Sequence, residues 1–336
     1  MEKIYIFADS ACDIPRELAV KYQIDILPVQ ITHEGRTFRE HYDITPEEYC
    51  KLLGSTDEIP VTAQITPVQF LEHYRQMHEA GYTHALGIIM NGKGSGCFQS
   101  ACVARDMFYE EYGQAMRIEV IDSESYSMIY GRIILDAAKM RDGGDSFDAI
   151  LGVVRSRLQR SEGALGVYSL KFLKKSGRIS GGAAFVGEAL GIKPISHVYA
   201  GGVTVCGKAR GEKNLVPAMV DFVRKRVVSP ETQTAGLLYG DVPQNRIEEL
   251  EKKLLEMGFA AVERWPIGVS VLTNTGPQAL AVMYYGEPRE LVCTEKKHTR
   301  RRCARANITR NLFFPAPQNK IIAKARIFCD IFRKFY

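Results

Sequence analysis

Residues 85–108 constrain the fold more than any other stretch of this chain. The apolar run Ala85-Leu86-Gly87-Ile88-Ile89-Met90 reads as a buried strand. Asn91-Gly92-Lys93-Gly94-Ser95-Gly96 follows it, and Phe98, Ala101, Val103 and Phe108 then trace a helical pattern. Three glycines at the mouth of a helix leave backbone N–H groups free to point at an anion. Ser95 places a hydroxyl donor among them. The expectation is a small anionic group held at a strand–helix turn.

The alternation extends to both sides. Ile4–Ala8 reads as a strand, Asp13-Ile14-Pro15 as a helix start with a capping Asp and an early Pro, and Ile24–Ile31 as a second strand. Thr45-Pro46 and Thr66-Pro67 open further helices. After the glycine-rich turn come a strand at 118–121 and helices near 126–141 and 146–161. Strands alternating with helices favour a parallel sheet covered on both faces, with ligands at the carboxyl ends of its strands. The polar turns Asp9-Ser10, Asn91–Gly96 and Asp122-Ser123 fall at those ends. In the second half, strands are expected at 164–168, 195–199, 203–206, 234–239, 261–266 and 269–273. Helices are expected near 171–175, 183–189, 213–227 and 243–257. Ala200-Gly201-Gly202 signals a hairpin. The fold class is therefore α/β. An N-terminal domain, 1–162, carries the mostly parallel sheet with helices on both faces. A second α/β domain, 163–288, carries a mixed or antiparallel sheet. A basic tail, 289–336, reads as disordered or amphipathic.

Charge separates the tail from the rest. Residues 291–336 hold 12 Lys and Arg against two acids, so an overall charge of +5 conceals a mildly acidic body. Ile321–Tyr336 spaces apolar residues helically between cations, a pattern suited to an anionic membrane surface, to nucleic acid, or to a solvated extension. No apolar run approaches the roughly 20 residues of a membrane helix. The first residues lead straight into a strand and read as lacking a signal peptide. The eight cysteines are scattered with no CxxC pair, which fits reduced thiols in a cytoplasmic protein.

Several chemistries find no support. The 91–96 loop lacks the Walker spacing, the dinucleotide glycine spacing and the Gly-x-Ser-x-Gly elbow. The seven histidines show neither HExxH nor HxH, and His73 and His78 read as a solvated helix face. No metal or cofactor is expected. Thr273-Asn274-Thr275-Gly276-Pro277 places polar donors after an apolar segment, where they can face the same cleft.

Taken together the segments resemble the DegV family of fatty-acid-binding proteins. The ordered pieces are Asp9-Ser10-Ala11-Cys12-Asp13, Val61-Thr62-Ala63-Gln64, Gly94–Ala101, Ile121-Asp122-Ser123 with Ser127, Leu173–Ile179 and Gly191-Ile192-Lys193-Pro194. The resemblance spans about residues 3–286. It implies one long-chain fatty acid enclosed between two domains, its carboxylate held by Thr62, Ser95 and the Thr-x-Thr-Gly-Pro segment. Gly96, Ser123, Asn274 and Thr275 complete the ligand-binding set, and Arg178 stands near the carboxylate or helps a kinase dock. A partner fatty acid kinase then phosphorylates the carboxylate, while this chain itself carries no catalytic centre. Two positions depart from the pattern: Asn274 stands where the family usually has His, and Gln278 where it has Gly. Asn donates a hydrogen bond but carries no positive charge and shuttles no proton. Two other classes stay open: an enzyme acting directly on a small carboxylated or phosphorylated substrate at the same strand ends, and a nucleic-acid-binding module using the tail. Contact between 291–336 and an anionic membrane is a further expected partnership.

Overall fold

The computed structural model describes residues 2–56, 58–169, 171–178 and 191–289. The expected helix at 183–189 and the basic tail lie outside these. Along the chain run β1 (Ile4–Asp9), α1 (Arg16–Lys21), β2 (Ile24–Leu27), β3 (Gln30–His33), β4 (Arg36–Arg39), α2 (Pro46–Ser55), β5 (Val61–Ala63), α3 (Pro67–Glu79), β6 (His84–Ile89), α4 (Cys97–Tyr112) and β7 (Arg117–Asp122). Then follow α5 (Met128–Asp142), α6 (Phe147–Leu158), β8 (Ser161–Val167), α7 (Lys171–Ser176), β9 (Ile192–Tyr199), β10 (Gly202–Arg210), α8 (Leu215–Arg224), β11 (Thr234–Tyr239), α9 (Gln244–Met257), β12 (Ala261–Pro266), α10 (Val269–Thr275) and β13 (Ala279–Tyr285). Among the described residues no helix is long and apolar enough to cross a membrane.

The first sheet has the order β2-β1-β6-β7 and is parallel throughout. Its central strands β1 and β6 are buried on both faces, which is why they read as unbroken apolar runs. The second sheet has the order β10-β9-β8-β13-β11-β12, antiparallel except for the parallel pair β11–β12. Its side chains alternate between two cores. Leu165, Val198, Leu238, Ala281 and Met283 join the core shared with the first sheet. Their neighbours Ala164, Leu237, Leu280 and Val282 pack under α8 and α9. The α/β class with one parallel and one mixed sheet is as expected.

Helix α5 lies between the two sheets and touches β1, β8, β11 and β13. Nine of its residues are buried, and its hydrophobic content is nearly all-round rather than a single stripe. The helix comes so close to the turn after β1 that a Cβ on Gly131 would sit 2.2 Å from the Cys12 carbonyl oxygen.

Four expectations need correction. Residues 269–273 are helical, not a strand. Within α10, Thr273 donates to the Val269 carbonyl at 2.8 Å and Asn274 to the Ser270 carbonyl at 2.8 Å, while the Ser270 N–H donates to Glu40 at 2.6 Å. Tertiary contacts override the strand preference of its β-branched residues. Ile24–Ile31 is two strands in two sheets, because Pro28 withholds a ladder donor. The second piece, β3, forms a small antiparallel sheet with β4 and β5 that the sequence pattern does not announce. Asp13 does not cap α1; Pro15 precedes that helix, and Asp13 sits in a left-handed turn with φ 56°. His73 is buried against Tyr5, whose hydroxyl lies 2.9 Å from its Nε2.

The α5 contact generates a test in which two effects oppose. Alanine is the better helix former by about 1 kcal/mol. Forcing a methyl against a backbone carbonyl costs roughly 1–3 kcal/mol or more. Gly131→Ala is therefore expected to destabilise the protein by about 1–2 kcal/mol in urea unfolding. A gain in stability would show that the turn after β1 yields freely.

Candidate functional site: an apolar cavity with a polar mouth

A cavity of about 260 Å³ opens between the carboxyl edge of the first sheet and the inner face of the second. Ile129 from α5, Leu165, Val198, Val203, Leu238 and Ala281 form its apolar walls. Its polar residues include Thr62, Gln64, Ser95, Tyr126, Ser127, Arg178, Ser270, Asn274 and Thr275. A more open neighbouring hollow shares Thr62, Ser176, Arg178 and Asn274 with the cavity. Those four residues therefore mark its mouth.

The glycine-rich loop is built differently from the expectation. Most of its N–H groups are already engaged. Gly92 donates to Asp122 at 3.0 Å, Lys93 to the Asn91 side chain at 3.1 Å, and Gly94 and Ser95 to the Asn91 carbonyl at 3.0 and 3.1 Å. The loop thus serves as a platform that presents the Ser95 hydroxyl. Its glycines are required for close approach. A Cβ on Gly94 would fall 2.0 Å from the Tyr126 hydroxyl oxygen, and one on Gly96 would fall 1.8 Å from Gln64 Oε1.

The sequence-derived residues are distributed as follows. Thr62 comes from the short strand β5, with Val61 and Ala63 beside it exposed. Ser95 donates to Cys97 Sγ at 3.3 Å and accepts from the Cys97 N–H at 3.3 Å. Gly96 precedes α4 and lines the cavity. Asn274 lies at the end of α10 and accepts from Arg178 Nη1 at 3.4 Å. Arg178 is exposed and also donates to the Ser176 carbonyl at 2.9 Å. The Thr275 hydroxyl is turned to the Gly276 carbonyl at 3.1 Å. Ser123 is fully buried, is not a wall of the cavity, and bonds within its own turn to Ser125.

Five polar lining residues escaped the sequence reading as site residues: Gln64, Tyr126, Ser127, Ser176 and Ser270. Gln64 stands two residues after Thr62, the spacing that returns a side chain to the same side of an extended segment. Tyr126 and Ser270 gave no signal, because their place depends on long-range packing. Gln64 donates to the Ser100 hydroxyl at 3.2 Å, and Asn91 donates to the Tyr126 hydroxyl at 2.8 Å.

Behind the cavity lies a group of buried carboxylates that pin the framework. Asp9 accepts from the Met90 N–H at 2.6 Å, the Ala11 N–H at 3.1 Å and the Tyr130 hydroxyl at 2.9 Å. Glu40 accepts from Ser10 and from the Ser270 N–H, both at 2.6 Å, and so ties α10 to the turn after β1. Asp13 accepts from the Ser127 hydroxyl. Burial pushes all three upward, Asp13 well above the usual carboxylate range and Asp9 to about 6. Among the described residues one metal-capable trio exists, His33, Glu34 and Glu58; none of the three lines the cavity.

The Asp9 shift fixes a pH dependence. A carboxyl whose folded value exceeds its unfolded one contributes stability that is complete below the unfolded value and is lost as pH rises through the folded one. From 3.8 unfolded to about 6 folded, that loss is about 3 kcal/mol. Between pH 3 and 7, wild type is expected to lose about this much stability relative to Asp9→Asn. Denaturant unfolding at stepped pH measures it, and a constant difference between the two proteins would contradict it.

Comparison with known proteins agrees with this architecture. The DegV family, described as uncharacterised proteins, matches residues 3–287. A DegV domain-containing protein of Caldanaerobacter subterraneus subsp. tengcongensis is 32% identical over 84% of this chain and 99% of its own length. One from Clostridium acetobutylicum is 31% identical over 84% of this chain and 99% of its own. Among solved structures, a fatty-acid-binding DegV family protein from Thermus thermophilus superposes with a TM-score of 0.76 at 28% identity, covering 85% of this chain and 100% of that one. A fatty-acid-binding DegV family protein from Streptococcus agalactiae gives 0.74 at 25% identity over 85% of this chain and 100% of that one. With matched segments, a shared fold and a family match across nearly the whole described region, this chain belongs to the DegV family.

Proposed function

We propose that this protein binds one long-chain fatty acid in the cavity and carries it without a catalytic centre of its own. The observation that carries this reading is an apolar cavity whose mouth gathers Thr62, Ser176, Arg178 and Asn274, with Ser95 on its wall. The fatty-acid binding of the Thermus and Streptococcus relatives supports it. On this reading the acyl chain lies along Ile129, Leu165, Val198 and Leu238. The carboxylate accepts hydrogen bonds from the Thr62 and Ser95 hydroxyls and from Asn274, with the Gly96 N–H and Arg178 beside it. Charge-assisted bonds of this kind orient a carboxylate without a nucleophile or a metal. Each buried methylene contributes about 0.8 kcal/mol, so the chain supplies most of the affinity and the mouth supplies direction.

In the full reading the body divides near residue 162 into two domains that enclose the ligand. A cytoplasmic fatty acid kinase then takes the carboxylate presented at the mouth and forms the acyl phosphate. The shared hollow, with Lys175 and Arg178 on its rim, supports a docking role at that end.

Mass spectrometry of solvent-extracted protein is the direct test. A co-purified long-chain acid is expected; none, with no binding on addition, refutes the carrier reading. Thr62→Ala and Ser95→Ala are each expected to weaken binding by about 1–3 kcal/mol. Unchanged affinity in both removes the headgroup site. With a supplied partner kinase, Asn274→His is expected to alter phosphorylation more than binding. Equal effects on the two would contradict the presentation step.

A further inference from the structure

The side-chain amide of Asn91 fixes the direction of a hydrogen bond at the cavity wall. One of its terminal atoms accepts from the Lys93 N–H at 3.1 Å and must be the oxygen. The other then donates, to the Gly201 carbonyl at 2.9 Å and to the Tyr126 hydroxyl oxygen at 2.8 Å. An amide nitrogen has two hydrogens, and both are now placed. Tyr126 is consequently the acceptor in its bond with Asn91, and its own proton points elsewhere. No acceptor among the described residues receives it.

The surroundings say where that proton is useful. Tyr126 lines the cavity together with Gly94, Ser95 and Arg178. Its oxygen occupies the space left by the missing Cβ of Gly94, one residue before the Ser95 hydroxyl. Asn91 is buried and doubly anchored, so the phenol oxygen is held in place from behind. Burial raises the phenol above its ordinary value, which keeps it a neutral donor at neutral pH.

Resting on the fatty-acid reading above, we propose that Tyr126 is a direct headgroup ligand, its O–H donating to the carboxylate alongside Thr62 and Ser95. Three separate segments then offer three hydroxyl donors of different reach to one oxyanion: Thr62 from β5, Ser95 from the loop and Tyr126 from the turn after β7. The phenol is the one whose direction is set by the Asn91 relay. Such a donor favours an anionic headgroup over a neutral one, because hydrogen bonds to a charged acceptor are roughly twice as strong.

Calorimetric titration of hexadecanoic acid and of hexadecanol into wild type and Tyr126→Phe tests this. The variant is expected to bind the acid about tenfold or more weaker and the alcohol far less affected. Equal weakening for both ligands would mean that Tyr126 acts only through Asn91 and the hairpin at Gly201, and would overturn the proposal. Unchanged acid affinity would overturn it too, while leaving the fatty-acid reading intact. A wild-type protein that binds neither ligand removes both. Gly94→Ala, whose methyl displaces the phenol oxygen, is the second variant and is expected to show the same acid-selective loss. Acid affinity equal to wild type in Gly94→Ala would count against the proposal even if Tyr126→Phe fails to fold.

Discussion

The spacing set by α5 is the constraint on which the rest of the structure depends. A helix about 10 Å across separates the parallel sheet from the inner face of the second sheet. It can do so only because Gly131 lets it settle onto the Cys12 carbonyl. Where α5 begins, at Ser127–Ile129, that separation is no longer filled by the helix, and the cavity lies there. The apolar walls are therefore the same residues that would close a core if the sheets met. The site is a gap in the hydrophobic core, lined by side chains selected for burial.

A gap of this kind needs a rigid rim, and buried polar contacts supply it. Asp9 binds β1 to the strand end at Met90 and to Tyr130 of α5. Glu40 binds the turn after β1 to α10. The Tyr49 hydroxyl meets Thr273 at 2.6 Å and fixes α10 from another side. These bonds have low-dielectric surroundings and few alternatives, so they specify position strongly and are costly to leave unmade. Asn274 owes its place at the mouth to them, since it rides on the last turn of α10.

Much of this was legible in the sequence, for identifiable reasons. The strands at 234–239 and 261–266 and the capped helices at Thr45 and Thr66 carry strong local signals, and both helices show full capping boxes in the structure. The glycine-rich turn was recognisable, but its purpose was not. Its spacing suggested free N–H groups, whereas the glycines make room for Gln64 and Tyr126. The helix α10 was misread because Val269, Val271 and Thr273 favour strands locally, while contacts from Glu40 and Tyr49 decide otherwise. The outer strands β4 and β5 of the small sheet are too short and too exposed to leave a periodic trace. The site residues found from sequence sit in segments with a recognisable motif, Ser95 and Gly96 in the glycine-rich turn and Thr62 on the short strand β5, whereas Tyr126 and Ser270 are placed by contacts with segments distant in the chain.

A polar mouth and apolar walls give the cavity a direction. On the proposed fatty-acid reading, an acyl chain would enter tail first and leave head first, so its headgroup would be the last part enclosed and the first exposed. On that reading, release would draw each methylene back past the polar mouth. At about 0.8 kcal/mol for each, residence time lengthens about fourfold per added carbon. On the proposed fatty-acid reading, the depth of the cavity would act as a clock, with short acids exchanging quickly and longer ones staying bound.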